Sequence, residues 1–216
     1  ADRAAGQRNV DDDPVDDLKS HEKLAAANLK TRVLPAFRPD KALTVHQSVS
    51  FNKWVDQLAA AADVDIHNFN AFLDALRQRH QYFHDRGSRL SDHGLNHCYA
   101  DFCTDEAAGK IFARARSGKM VSPAQHSQFA SFMMLFFGRL DAEKGWVKQL
   151  HVGALRNNNT RLMKAVGPDT GFDSISDYPQ CQALAAYLDR LDQENALPKT
   201  ILYNLNPADN YAFATM

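Results

Sequence analysis

Four short apolar runs, each trailed by polar turn residues and separated by roughly 45 to 55 positions, constrain this chain most. Thr31–Phe37 (TRVLPAF), Arg89–Leu95 (RLSDHGL), Trp146–Leu155 (WVKQLHVGAL) and Thr200–Leu205 (TILYNL) have the apolar or β-branched cores of strands. Between them, Phe51–Ala61, Ile66–Arg79, Asp105–Ser117, Pro123–Glu143 and Tyr178–Glu194 carry apolar residues at helical spacing. Ser122-Pro123 reads as an N-cap followed by a first helical position, and Asp177 as the cap of the last helix. Strands alternating with helices imply βα units and a parallel sheet, so the fold class is α/β. A minimal βα repeat needs about 30 residues. Extra helices are therefore expected, near 42–86 and 96–144. Residues 1–13, which end in three aspartates before Pro14, read as a loose N-terminal segment.

Apolar residues at 44%, charged residues at 24% and a net charge of −1 describe a globular chain with no basic field. Nucleic acid is therefore not an expected partner. The apolar block Phe129–Phe137 (FASFMMLFF) is too short to cross a bilayer and reads as a buried helix. No membrane partner is expected, and no signal-peptide pattern opens the sequence. Three cysteines, Cys98, Cys103 and Cys181, are odd in number and lack zinc-type pairing, which fits free thiols in the cytoplasm.

In parallel α/β folds the chemistry collects where strands end. Arg38 follows the first strand, and its planar guanidinium suits a carboxylate or phosphate; the plain alternative is a surface pair with Asp40. His93 sits between Asp92 and Gly94 in the second, where it can ligate a metal, shuttle a proton or satisfy a buried hydrogen bond. His151 lies in an otherwise apolar third strand and needs a partner there. Arg156 and Asn157-Asn158-Asn159 follow it; they can donate to a ligand, or the asparagines can serve a turn needing left-handed residues. His80 and His84 have the i, i+4 spacing of some metal sites but lie at a polar helix end, and read as structural.

These blocks also carry a resemblance. Leu34–Lys41 (LPAFRPDK), Ser91-Asp92-His93, His151–Asn159 (HVGALRNNN), Gly171–Ile175 (GFDSI), Pro198–Tyr203 (PKTILY) and Leu205-Asn206-Pro207 closely resemble the uronate isomerase (glucuronate isomerase) family of the amidohydrolase superfamily, in order, from about Asp12 to Met216. The resemblance implies a TIM-like (β/α) barrel, with 14–216 forming its central part: about four parallel strands with large inserted helical segments. It implies an aldose–ketose isomerase interconverting D-glucuronate with D-fructuronate and D-galacturonate with D-tagaturonate, by moving a proton between C1 and C2. Such chemistry needs an acid–base pair, a polarised carbonyl and a cation for the carboxylate. Carried over, Arg38 clamps the substrate carboxylate, with Arg156 and Asn157 as further substrate contacts by position. His151 and His93 become the catalytic candidates.

The family's His-x-His pair, late Asp-x-Arg and tryptophan-rich segment have no counterpart in this sequence, and no metal ligands are assigned to it. A divalent metal such as zinc is expected only in the full-length enzyme. The expectation is thus an isomerase segment, inactive alone, that binds a hexuronate and self-associates to cover open sheet edges. The alternative is a non-catalytic structural or oligomerisation domain of that enzyme.

Overall fold

The computed structural model describes residues 6–216. Its main sheet has five strands in the order β1 (Gln7–Asp12), β2 (Arg32–Phe37), β3 (Leu90–Gly94), β4 (Val147–Val152) and β7 (Lys199–Asn204), every neighbouring pair parallel. A two-stranded antiparallel ribbon, β5 (Ala154–Leu155) with β6 (Ser174–Ile175), lies just past the end of β4. The α/β reading holds, with one strand more than expected. The helices are α1 (Lys19–Ala26), α2 (Ser48–Ala62), α3 (Phe69–Asp85), α4 (Asp105–Arg116), α5 (Pro123–Lys144), α6 (Thr160–Val166), α7 (Cys181–Gln193) and α8 (Asn210–Ala214). Pairs of helices, α2 with α3 and α4 with α5, occupy the two long gaps between strands.

Three expectations need correction. From Gln7 onward the segment expected to be loose is β1, paired with β2 over six residues, Gln7 with Arg32 through Asp12 with Phe37; the first five residues lie outside the described chain. Backbone pairing rather than burial makes this strand, since Gln7–Asp11 is exposed. Its aspartates are used: Asp12 binds His21 at 2.8 Å, and Asp13 accepts from the Trp54 indole at 2.8 Å. The expected third strand stops at Val152, because Gly153 at φ +85° turns the chain away into the ribbon. A Cβ there would stand 3.0 Å from the Asn206 backbone nitrogen, so the residue must be small as well as left-handed. The last long helix begins at Cys181, and its entrance is held by Gln180 rather than by Asp177. The buried Gln180 amide donates to Asn96 O (3.1 Å) and accepts from Cys98 N–H (3.2 Å).

The core lies between the sheet and the helices. α5 is its centre, buried on all sides from Phe129 to Gly138, which is why that segment shows no polar face. Ser122 caps it in a reciprocal capping box with Gln125, Pro123 opens its first turn, and Gly145 ends it at φ +64°. Phe37 at the end of β2 packs edge-on against Phe83, Phe137 and His80, while Phe51, Phe72 and Phe112 join α2, α3 and α4. Each fully buried phenylalanine contributes about 2–3 kcal/mol through area removed from water. Among the described residues no helix is long and apolar enough to cross a membrane, and all three cysteines are free thiols.

Candidate functional site

Side chains alternate across a strand, so neighbouring residues at the carboxyl ends of β3 and β4 serve opposite faces. On the open face stand Asp11, Arg38, Asp92 and His151. Arg38 Nη1 donates to Asp11 Oδ2 at 2.7 Å and lies 3.5 Å from Asp92 Oδ1, while Nε donates to Asp40 Oδ2 at 3.2 Å. Burial works against the Arg38 charge, but Asp40, Asp92 and Asp11 outweigh it and raise its pKa. His151 is held through Nε2 by Asp92 Oδ2 at 3.0 Å, and its ring stacks on Tyr203 of β7 at 4.5 Å and 12°. Asp92 is 2% exposed and its Oδ1 accepts no hydrogen bond among the described residues. Burial, then the Asp11 charge, push its pKa up against the pull of His151 and Arg38.

Asp11, Arg38, His151, Arg156 and Asp169 line one cavity of about 470 Å³ on this face. Arg156 is anchored there by Asp173 Oδ2 at 3.0 Å. Arg38, His151 and Arg156 thus meet in one place, at the strand ends, although 118 positions separate the first from the last in the chain.

His93 and Asn157 are placed differently. His93 is 0% exposed and points to the helix side, where its ring lies 5.9 Å from Phe137. Its Nδ1 meets Asp40 Oδ1 at 2.9 Å and its Nε2 meets Lys148 Nζ at 3.1 Å. It does not line the cavity. The asparagine triplet is largely architectural. Asn157 adopts φ +53° and donates its backbone N–H to Asp173 (2.8 Å); Asn158 bonds Ser174 (2.6 Å); Asn159 caps α6 through Leu162 N–H (3.0 Å). His80 is likewise structural, buried against Trp146 and bonded to Asp141 at 3.1 Å.

Sequence reasoning singles out neither Asp11 nor Lys148, and it names Asp92 and Asp40 only as neighbours of His93 and Arg38. Lys148 left a readable signal, because it shares the apolar stripe of β4 with Leu150 and Val152 and is fully buried with them. It is bonded to Asp141 Oδ2 at 2.7 Å and Ser91 Oγ at 3.1 Å. Burial opposes the Asp141 charge, yet Lys148 and His80 bring its pKa down to about 2.

The metal implied for the full-length enzyme does not find a complete ligand set among the described residues. No three His, Cys, Asp or Glu side chains converge to hold one. The facing pair, His151 and Asp92, spend Nε2 and Oδ2 on each other. No metal-dependent step is assigned to these residues.

A parallel sheet backed by helices, with a polar cluster at its strand ends, is the arrangement of part of a (β/α)-barrel fold. A family model described as glucuronate isomerase matches residues 9–216, and the chain belongs to that family. It is 60% identical to a uronate isomerase of Solibacter usitatus over 205 residues, covering 95% of this chain and 44% of that protein. It is 49% identical to one of Cellvibrio japonicus over 206 residues, with 95% and 44% covered. The crystal structure of uronate isomerase from Thermotoga maritima matches with a TM-score of 0.91 at 30% identity, over 97% of this chain and 46% of that one. The glucuronate isomerase structure from Caulobacter crescentus matches at 0.83, with 26% identity over 93% and 41%. The chain therefore spans less than half the length of the relatives it matches.

Proposed function

We propose that this chain supplies the carboxylate-binding and proton-transfer part of a cytoplasmic aldose–ketose isomerase acting on hexuronates, D-glucuronate and D-galacturonate among them. The observation that carries the reading is one cavity in which a half-exposed imidazole, fixed from behind by a buried carboxylate, faces two guanidinium groups. A sugar acid asks for that combination: a cation for its carboxylate and a titratable group near the carbon that exchanges a proton.

Arg38 is the better carboxylate clamp, because Nη2 donates to no group among the described residues while Nε and Nη1 are fixed by Asp40 and Asp11. Arg156, held by Asp173, adds a second cation to the cavity lining. Asp92, when ionised, accepts from His151 Nε2–H, which leaves the Nδ1 lone pair to take a proton. His151 then serves as the base that removes the proton from C2 and, once protonated, as the acid that returns it to C1 of the enediolate, while the O2 hydroxyl proton passes to O1. The cavity of about 470 Å³ admits a hexose-sized ligand, and the buried Asp92 acts on it through His151 rather than by direct contact.

Titration of the chain with D-glucuronate, followed by NMR at His151 and Arg38, tests the reading. Saturable shifts at both residues, abolished by Arg38→Met, are the expected result. Absence of shifts at both, or binding indifferent to Arg38→Met, overturns it.

A further inference from the structure

A continuous line of polar contacts runs behind the sheet and emerges at Arg38. It starts at Asp141 in the middle layer, whose Oδ1 bonds His80 (3.1 Å) and whose Oδ2 holds Lys148 Nζ (2.7 Å). Lys148 reaches across to His93 Nε2 on the neighbouring strand at 3.1 Å. His93 Nδ1 meets Asp40 Oδ1 at 2.9 Å in the 3-10 turn Asp40–Leu43, which follows β2. The other oxygen of Asp40 accepts from Gly94 N–H at 2.9 Å and from Arg38 Nε at 3.2 Å.

The direction of each bond follows from what the groups can do. An ammonium only donates, so His93 Nε2 must accept. The ring is then neutral with its proton on Nδ1, and Nδ1–H donates to Asp40. Asp40 stays ionised and presents its second oxygen to Arg38. Burial and the Lys148 charge both lower the His93 pKa, in keeping with a neutral ring. Asp40 is held below the ordinary carboxylate value although burial opposes it, because His93, Gly94 and Arg38 all favour its charge. Gly94 completes the seat: a Cβ there would run into Arg38 Nη2, so only glycine leaves room for the guanidinium at the end of β3.

We propose that Lys148, fully buried and remote from the cavity, is a positioning residue for Arg38: by fixing His93 as a donor to Asp40 it sets the guanidinium plane that receives the substrate carboxylate. The inference rests on the hexuronate reading for its purpose but not for its physics. Lys148 touches no cavity residue directly and acts through two side chains.

The unliganded chain provides the first test. Nitrogen-15 spectra of the His93 ring should show the neutral tautomer protonated at Nδ1, and the Arg38 guanidinium should give resolved Nε–H and Nη signals of a restricted group. In His93→Leu the Arg38 signals should average, whereas His93→Asn, whose amide can still donate to Asp40, should restore them. Because Lys148→Met leaves the buried Asp141 without its cation and can fail to fold, Lys148→Met/Asp141→Leu is used for the lysine itself; it should move the His93 proton off the fixed tautomer and loosen Arg38. D-glucuronate titration then reads the purpose: affinity should fall about tenfold in His93→Leu and in the double variant, and recover in His93→Asn. An Arg38 signal unchanged by His93→Leu, or a His93 ring protonated at Nε2 in the wild type, overturns the relay. If the wild type binds no glucuronate while Arg38 still responds to His93, the hexuronate reading fails and the relay stands.

Discussion

Replacing Lys148 by methionine removes one member of an ion pair with both partners sealed from solvent, Lys148 at 0% and Asp141 at 1% side-chain exposure. At 2.7 Å the gross attraction with an effective dielectric of about 20 is roughly 6 kcal/mol. Desolvating the two ions costs several kcal/mol each, so the intact pair is close to neutral in net terms. The single variant is different, because the carboxylate stays buried after its cation has gone. Such orphaned charges cost about 3–5 kcal/mol. Asp141 keeps Ser91 at 2.6 Å and His80 at 3.1 Å, which places Lys148→Met at the lower end, about 3 kcal/mol. With a urea m-value of about 2 kcal/mol per molar, the midpoint should drop by roughly 1.5 M. Lys148→Met/Asp141→Leu should lie within about 1 kcal/mol of wild type, giving a coupling of at least about 2 kcal/mol.

Acid titration checks the same pair independently. Asp141 is depressed from 3.8 to about 2, so its contribution is complete above pH 3.8 and is lost as pH falls toward 2. That contribution is on the order of 2 kcal/mol, and Asp141→Leu should be less sensitive to acid in this window. A single variant that loses under about 1 kcal/mol, or a double variant as unstable as the sum of the two singles, refutes the reasoning.

Gly94→Ala should displace the Arg38 guanidinium and cut D-glucuronate affinity about tenfold by calorimetry, with a thermal midpoint within a few degrees of wild type. Gly138→Ala in α5 places a Cβ 2.6 Å from Leu191 Cδ1 and 3.1 Å from the Tyr187 hydroxyl; overpacking should cost about 1–3 kcal/mol in urea unfolding, and Leu191→Val should recover part of it. Burial, then the neighbouring His46 ring 3.9 Å away, bring the His126 pKa down to about 4, so proton NMR should show it titrating far below a free histidine and His46→Asn should raise it. Since the unfolded chain takes up that proton first, this site lowers stability as pH falls below the ordinary histidine value. Ile201, Tyr203 and Leu205 on and after β7 are exposed along an open edge, so sedimentation at rising concentration should show self-association that Ile201→Lys reduces.

Three of the four legible strands are buried on at least one face, while Lys199–Asn204 was legible from its alternating Thr, Ile, Leu and Tyr although no residue in it is buried. Leu90–Gly94 and Val147–Val152 carry apolar or compact residues that the packed side requires, and α5 is announced by Ser122, Pro123 and its phenylalanines. The edge strand β1 escaped because Arg8-Asn9 and a run of aspartates disfavour strands, while its hydrogen bonds to β2 need no side-chain signal. α1 escaped as well: it starts at a left-handed Leu18 with no side-chain cap. At the site, the rule that strand ends carry chemistry located Arg38, His151 and Arg156 together. It could not say which face a residue serves. His93 was chosen for its imidazole and Asp92 named only as its neighbour, yet the cavity side belongs to Asp92.

That adjacency has a consequence for how the chain tolerates length changes. Asp92 and His93 are consecutive, and β3 has only five residues in which to set their directions. Loss of one residue ahead of them would rotate each by half a turn, driving a carboxylate against Phe137 and turning the imidazole to the open face of the sheet. Insertions in the surface loops should be absorbed, whereas a single-codon deletion in this strand would break the Asp92–His151 contact and the helix-side packing of His93 in one step.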